Sequence, residues 1–299
     1  MIFATDLGSP EGPVLLPDGS FLVVEMNLDR GWVARISPDG RTKRVLARTG
    51  RPNGLAVDRL GRVWIAESLR QHLLRFSLGD SDAREVVPEV VATGAPGEPF
   101  LFPNDLAFGP DGYLYMTDSG IRWTDLAGVD RNSAEFLASP LDGRLYRIDP
   151  ATGEVVRLDR GLRFANGLAF DASGALYVNE TATGMVYRYD LRYDLGGSAS
   201  IRREEFGNVR DPLLPPGWRG PGGMKFGLDG RLYVAVHGQG DVTVLGHDGS
   251  VAGRLKLGGL RPTNVVFGPA GSRSLYVTEV DQGVLEALEV PTDGLPLHR

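Results

Sequence analysis

The sequence predicts an all-β fold, a six-bladed β-propeller with four-stranded blades whose ring is closed by the N-terminal strand joining the last blade. Three observations carry that expectation. A strand–turn–strand phrase recurs six times along the 299 residues. Further strand-like segments fill the gaps, giving about four strands per unit. No long stretch has a 3.6-residue apolar period, so helix should be scarce.

The copies run in order. They are SPEGPVLLPDGSFLVVE (9–25), RPNGLAVDRLGRVWIAE (51–67), FPNDLAFGPDGYLYMTD (102–118), FANGLAFDASGALYVNE (164–180), GPGGMKFGLDGRLYVAV (220–236) and RPTNVVFGPAGSRSLYVTE (261–279). Each reads as a short apolar strand, a Gly-bearing turn and an alternating strand rich in Tyr, Val, Leu and Trp. Steps of roughly 40–60 residues mark a repeat architecture. Segments such as GWVARIS (31–37), GRLYRIDP (143–150) and GVLEALEV (283–290) supply the outer strands. Four-stranded units repeated radially make a propeller. The first copy starts at residue 9, and strands run out near residue 290. The segment IFATD (2–6) is therefore expected to be the outer strand of the last blade, covering two sheet edges. One domain over 1–299 is expected. Two segments break the period, 119–142 with Trp123 and 192–219 with DPLLPPGWRG, and both are expected as loops over one face.

Composition narrows the function. Hydrophobic residues at 42% and charged residues at 23% are ordinary for a globular chain. A formal charge of −6 argues against a nucleic-acid partner, which calls for a basic face. No apolar run approaches ~20 residues, so no membrane span is expected. The start lacks the basic segment and apolar core of a signal peptide, and there is no cysteine. A cytoplasmic protein is expected, acting on a small molecule as a monomer or small homo-oligomer.

The inner strand of each blade should line a central channel. Its entrance residue is Glu11, Asn53, Asn104, Asn166, Gly222 and Thr263 in turn. The next residue is Gly12, Gly54, Asp105, Gly167, Gly223 and Asn264. Oxygen-bearing side chains thus converge on one end of the channel. One carboxylate with several amide oxygens suits a hard cation, Ca²⁺ first, then Mg²⁺ or Mn²⁺. Asn or Asp before Gly is also ordinary turn chemistry, so a turn reading stands beside the ligand reading. Glu11 is harder to explain as a turn residue. A second ring follows at the end of the next strand: Glu25, Glu67, Asp118, Glu180, Val236 and Glu279. Either these acids cap strand ends or they are catalytic. His237, beside the exceptional Val236, belongs on the same face as the axial cluster.

With these residues in place the chain resembles the senescence-marker-protein/gluconolactonase/luciferin-regenerating-enzyme family. The resemblance rests on PEGP (10–13), PND (103–105), ANGL (165–168) and the DG-x-LYV strand endings. It implies a metal-dependent hydrolase of a small lactone, sugar lactone-like, or a related ester. The metal, Ca²⁺ or Zn²⁺ in the family, would sit at the channel mouth. By this resemblance Glu11 and Asn166 are metal ligands. Asn104 touches metal or substrate, and Asp105 orients it or takes part in proton transfer. Asp105 and His237 are the catalytic candidates. Asn53, Asn104, Trp123 and Glu180 are the substrate-binding candidates. One departure stands out. The family phrase PDGM is here PGGM (221–224), so Gly222 replaces an anionic ligand and the usual base. Asp105, then Asp211, are the substitutes at hand. Restoring Asp at 222 is expected to tighten metal binding. Two alternatives follow from the loss: a metal-independent cyclase, lyase or isomerase using Glu180, Glu279 and His237, or a non-catalytic binding propeller.

Overall fold

The computed structural model describes residues 1–81, 84–193 and 199–299. Its strands form six four-stranded antiparallel sheets and one two-stranded ribbon. Blade one is Pro10–Leu15, Phe21–Glu25, Trp32–Ile36 and Lys43–Arg48, paired in sequence order. Blades two to five repeat that order. Blade six contributes Pro262–Phe267, Ser274–Glu279 and Val284–Glu289, and takes Ile2–Ala4 as its fourth strand. Chain start and chain end therefore share one sheet. The seam is packed as well as paired: Phe3 stacks edge-on against Phe21 of blade one at 5.3 Å and Tyr276 of blade six at 4.9 Å.

The apolar core lies between neighbouring sheets rather than at the axis. Val14, Leu22, Leu55 and Ile65, for instance, form one buried cluster between blades one and two. Alternation explains this: strands send apolar side chains to both adjoining blades.

The segment 119–142 is a loop carrying two short helices, Trp123–Leu126 and Ala134–Ala138. The segment 192–219 departs from its expected form. Blade four's outer strands run Met185–Tyr193 and Ala199–Asn208, so only 209–219 crosses the face as a loop. The cause is legible in the pairing. Arg188 faces Glu204 and Asp190 faces Arg202, and opposite charges across the ladder carry the hairpin outward. Residues 194–198 lie outside the described residues.

Each inner strand carries one extra residue at its entrance. In blade three Pro103 pairs Asp118 and the next pair is Leu106 with Met116, three residues against two. The other five blades slip in the same place. Such a bulge breaks strict alternation. The entrance residue and its successor are thereby both released toward the channel.

Candidate active site

A cavity of about 290 Å³ opens at one end of the channel, and Glu11, Asn53, Asn104, Asn166, Gly222 and His237 all line it. With Thr263, all six blades' entrance residues line this wall, each polar or glycine, and the bulge aims them at the axis. Trp123, from the first short helix, closes one side. Trp218, from the 209–219 loop, packs on Phe136 at 5.2 Å and Phe164 at 5.1 Å, which ties the two crossing loops together over the mouth.

The amides are oriented by neighbours. Asn104 Nδ2 donates to Ser119 Oγ at 2.8 Å, and Ser119 Oγ donates on to the Ala165 carbonyl at 2.9 Å. Asn166 Nδ2 donates to Thr181 Oγ1 at 3.0 Å, and Thr181 Oγ1 donates to the Pro221 carbonyl at 2.7 Å. The same relay thus serves two blades, and each link ends on the next blade's inner strand. With Nδ2 engaged, Oδ1 of each amide is left as an acceptor for the cavity. Glu11 is buried; one carboxylate oxygen, Oε2, accepts from the Gly12 amide and from Asn264 Nδ2.

Asp105 does not line the mouth. It lies one residue deeper, 2% exposed, with Oδ1 accepting from the Leu106 amide at 2.9 Å. Its Oδ2 is buried with no hydrogen-bond partner among the described residues. Burial, and the Asp105 charge nearby, push the Glu11 carboxyl up to about 8. Burial raises Asp105 also, against the pull of Lys225. Two buried acids with an orphaned oxygen and insufficient counter-charge are a place where a cation is favourable. Among the described residues no three His, Cys, Asp or Glu side chains cluster as ligands. The donor set is therefore carboxylate plus amide oxygen, which is hard-cation chemistry.

Glu180, expected to touch substrate, is occupied elsewhere. It accepts from the Arg163 amide and the Thr183 hydroxyl, both at 2.6 Å. Glu67 likewise accepts from the Arg51, Leu69 and Arg70 amides, and Glu279 from the Arg261, Asp281 and Gln282 amides. Asp118 accepts from Leu101 and Gly120. These acids clamp the approach to the inner strands of their blades, as the strand-end capping reading expects.

The glycines have a different job from the turn reading. Gly54 and Gly167 sit inside inner strands, not in turns. A Cβ on Gly167 would fall 2.2 Å from the Gly222 carbonyl oxygen, and one on Gly54 2.5 Å from Asp105 Cα. Adjacent inner strands approach backbone to backbone here, and only glycine fits. Gly222 is part of the same contact: its Cβ would lie 2.1 Å from the Thr263 carbonyl oxygen. An Asp placed at 222 to restore a ligand would therefore have to displace this backbone contact. His237 lies one strand over from this gap, on the strand paired with Gly220. Burial and the charges of Arg131 and Arg261 push its imidazole down to about 4, so it is neutral at pH 7.

Three charged lining residues were not anticipated: Arg51, Arg131 and Arg261. Arg51 and Arg261 share one register, two residues before the entrance, and that repetition could have flagged them. Arg131 comes from the 119–142 loop, where no register exists.

The SMP-30/gluconolactonase/LRE-like family model matches residues 9–281. A gluconolactonase of Zymomonas mobilis is 26% identical over 295 residues, covering 93% of this chain and 78% of that protein. A pentonolactonase of Haloferax volcanii is 29% identical over 272 residues, covering 90% of this chain and 80% of its own. The crystal structure of a calcium-binding protein, regucalcin, from Agrobacterium tumefaciens superposes with a TM-score of 0.74 at 19% identity, covering 100% of this chain and 96% of that one.

Proposed function

Because the chain belongs to the SMP-30/gluconolactonase/LRE-like family, we propose that it is a lactonase-type hydrolase opening a small, sugar-like lactone at the channel mouth. Two relatives that align along most of this chain are a gluconolactonase and a pentonolactonase, which supports that reaction class. The observation that carries the reading is the paired relay Asn104–Ser119 and Asn166–Thr181. It leaves two amide oxygens directed at the same space as Glu11, in a cavity whose volume suits one sugar-sized ring.

Glu11, Asn104 and Asn166 would hold one divalent cation, Ca²⁺ by donor type. Such an ion, when bound, polarises a carbonyl and acidifies a bound water. The protein's own residues do the rest. Asn53 and Trp123 flank the ring and set its orientation. His237, neutral and on the cavity wall, accepts a hydrogen bond from the attacking water and takes its proton as the water oxygen adds to the lactone carbonyl carbon. The ring C–O bond then breaks, and the proton passes to the departing alkoxide, giving the hydroxy acid. Asp105 acts from below as a positioning residue, fixing the charge state of Glu11.

Lactone opening releases a net proton at neutral pH, so an indicator dye follows it directly. With D-glucono-1,5-lactone, turnover above the uncatalysed rate is expected, and it is expected to fall sharply on chelation or in Glu11→Gln. The Glu11→Gln protein should also lose Ca²⁺ binding by titration calorimetry. No acceleration with any five- or six-carbon aldonolactone, with or without added divalent ions, would sink the proposal.

A further inference from the structure

Three guanidinium groups reach the same mouth from three different parts of the fold. Arg51 precedes blade two, Arg261 precedes blade six, and Arg131 belongs to the loop 119–142. Of the three, Arg261 alone makes an ion pair among the described residues, with Asp281. Arg51 is held by other means: its guanidinium carbon lies 3.8 Å from the Trp123 ring centre, and Nη1 donates to Ser68 Oγ at 2.9 Å. Arg131 lies 6.0 Å from the Trp218 ring centre. Neither Arg51 nor Arg131 has a carboxylate partner in ion-pair contact among the described residues. Glu67 and Glu11 act on Arg51 only through space.

Burial and the repulsion of Arg131 push Arg51 down to about 10, and burial with Arg261 lowers Arg131. Bringing like charges together while stripping their water is unfavourable, and a protein keeps such an arrangement where a bound anion completes it. A planar guanidinium stacked on an indole, as Arg51 is on Trp123, is also a pre-oriented donor that matches carboxylate or phosphate oxygens two at a time. The chain as a whole carries a charge of −6, so this positive mouth runs against the general charge.

We infer that the natural ligand of this site carries an anionic oxygen group, a carboxylate or a phosphate ester, which Arg51, Arg131 and Arg261 hold beside the polar floor of Glu11, Asn104 and Asn166. The inference rests on the lactonase reading for the ring chemistry but not for the charge. A neutral sugar lactone would leave Arg131 unmatched.

The test separates the two. The full-length protein is titrated calorimetrically with three ligands of one carbon frame: D-glucitol, D-gluconate and D-glucitol 6-phosphate. At least one anion is expected to bind about tenfold or more tighter than glucitol, a difference of about 1.4 kcal/mol. Gluconate leading assigns a carboxylate; the phosphate leading assigns a phosphate ester. In Arg131→Gln the anion preference is expected to fall at least about fivefold, and in the wild type raised salt should narrow it. Arg51→Gln serves as the second variant should Arg131→Gln fail to fold. Glucitol binding as tightly as both anions overturns the inference, as does a preference untouched by both substitutions. Anion preference without turnover of any lactone upholds the inference and removes the lactonase reading. Turnover without preference does the reverse.

Discussion

At the scale of single residues, the site is set by what each side chain has already committed. Asn104 and Asn166 can offer oxygen only because Ser119 and Thr181 hold their amide nitrogens. Replacing Ser119 and Thr181 by Ala should free both amides to rotate. Ca²⁺ affinity is expected to drop about ten- to a hundredfold, as for outer-shell partners generally, and the melting temperature should fall too, since both buried hydroxyls bond the next blade's carbonyls. Unaltered affinity by calorimetry would mean the amides are fixed by something else. Gly222 is the second residue-scale case. Its neighbour across the blade gap is a carbonyl oxygen 2.1 Å from where a Cβ would stand. Gly222→Ala should therefore cost about 2–3 kcal/mol by urea denaturation, as overpacking does. Gly222→Asp should cost at least as much and not act as a simple gain of ligand. A stable Gly222→Asp protein with tighter Ca²⁺ binding would show that blade five can move aside.

At the scale of elements, the bulge and the seam matter most. The bulge at each inner-strand entrance converts a strand that would alternate into one that presents two successive residues to the channel. It explains how Glu11 at an entrance and Asn264 at a second position can meet. The seam strand Ile2–Ala4 is short, and its outward neighbour is solvent. Removing residues 1–6 would uncover the edge of Val284–Glu289 and strip Phe3 from between Phe21 and Tyr276. The melting temperature is expected to fall by at least about 5 °C, with aggregation on heating. A truncated protein that melts where the full chain does would refute the closure argument.

At the scale of the whole molecule, buried charge links stability to pH. The Glu11–Asp105 pair keeps a proton in the folded protein up to about pH 8, while an unfolded glutamate has lost it well below that. The folded state thus binds more protons than the unfolded one, and stability must fall as pH rises. His237 works in the opposite sense. It is neutral in the folded protein down to about 4, so the unfolded state binds more protons below its ordinary value of 6.5, and stability is lost on acidification. Between pH 6.5 and 8 the His237 contribution is constant and the acid pair acts, in the same sense as Asp118, whose carboxyl burial also raises. Without divalent ions the protein should lose about 2 kcal/mol across that window, and Glu11→Gln should flatten the curve. A wild-type denaturation profile that is already flat from pH 6.5 to 8 would contradict the buried-pair assignment.

Much of this was written in the chain and some was not, and particular residues mark the division. The six hairpin phrases determined the fold, because turn chemistry and strand alternation are local and repeat with the blade. The entrance positions were legible for the same reason: Glu11, Asn104 and Asn166 occupy one register. Register alone could not tell what the glycines were for, since Asn-Gly reads alike as a turn and as a close backbone contact. Only the packing of Gly167 against Gly222 decides it. The second outer strand of blade four fell in a segment that breaks the repeat period and so read as a loop, whereas paired opposite charges sustain it. Glu180 and its counterparts read in one dimension either as strand-end caps or as catalytic acids, and the structure has them bonded to backbone amides. The arginine cluster was only half written in the chain: Arg51 and Arg261 share a register, but Arg131 has none, and the three meet only when the ring closes and a loop folds over it. The sequence by itself determined the repeat, the blades and the polar entrance, all products of near-neighbour physics. The tertiary structure alone decided which charges face one another, because that depends on distances between residues far apart in the chain.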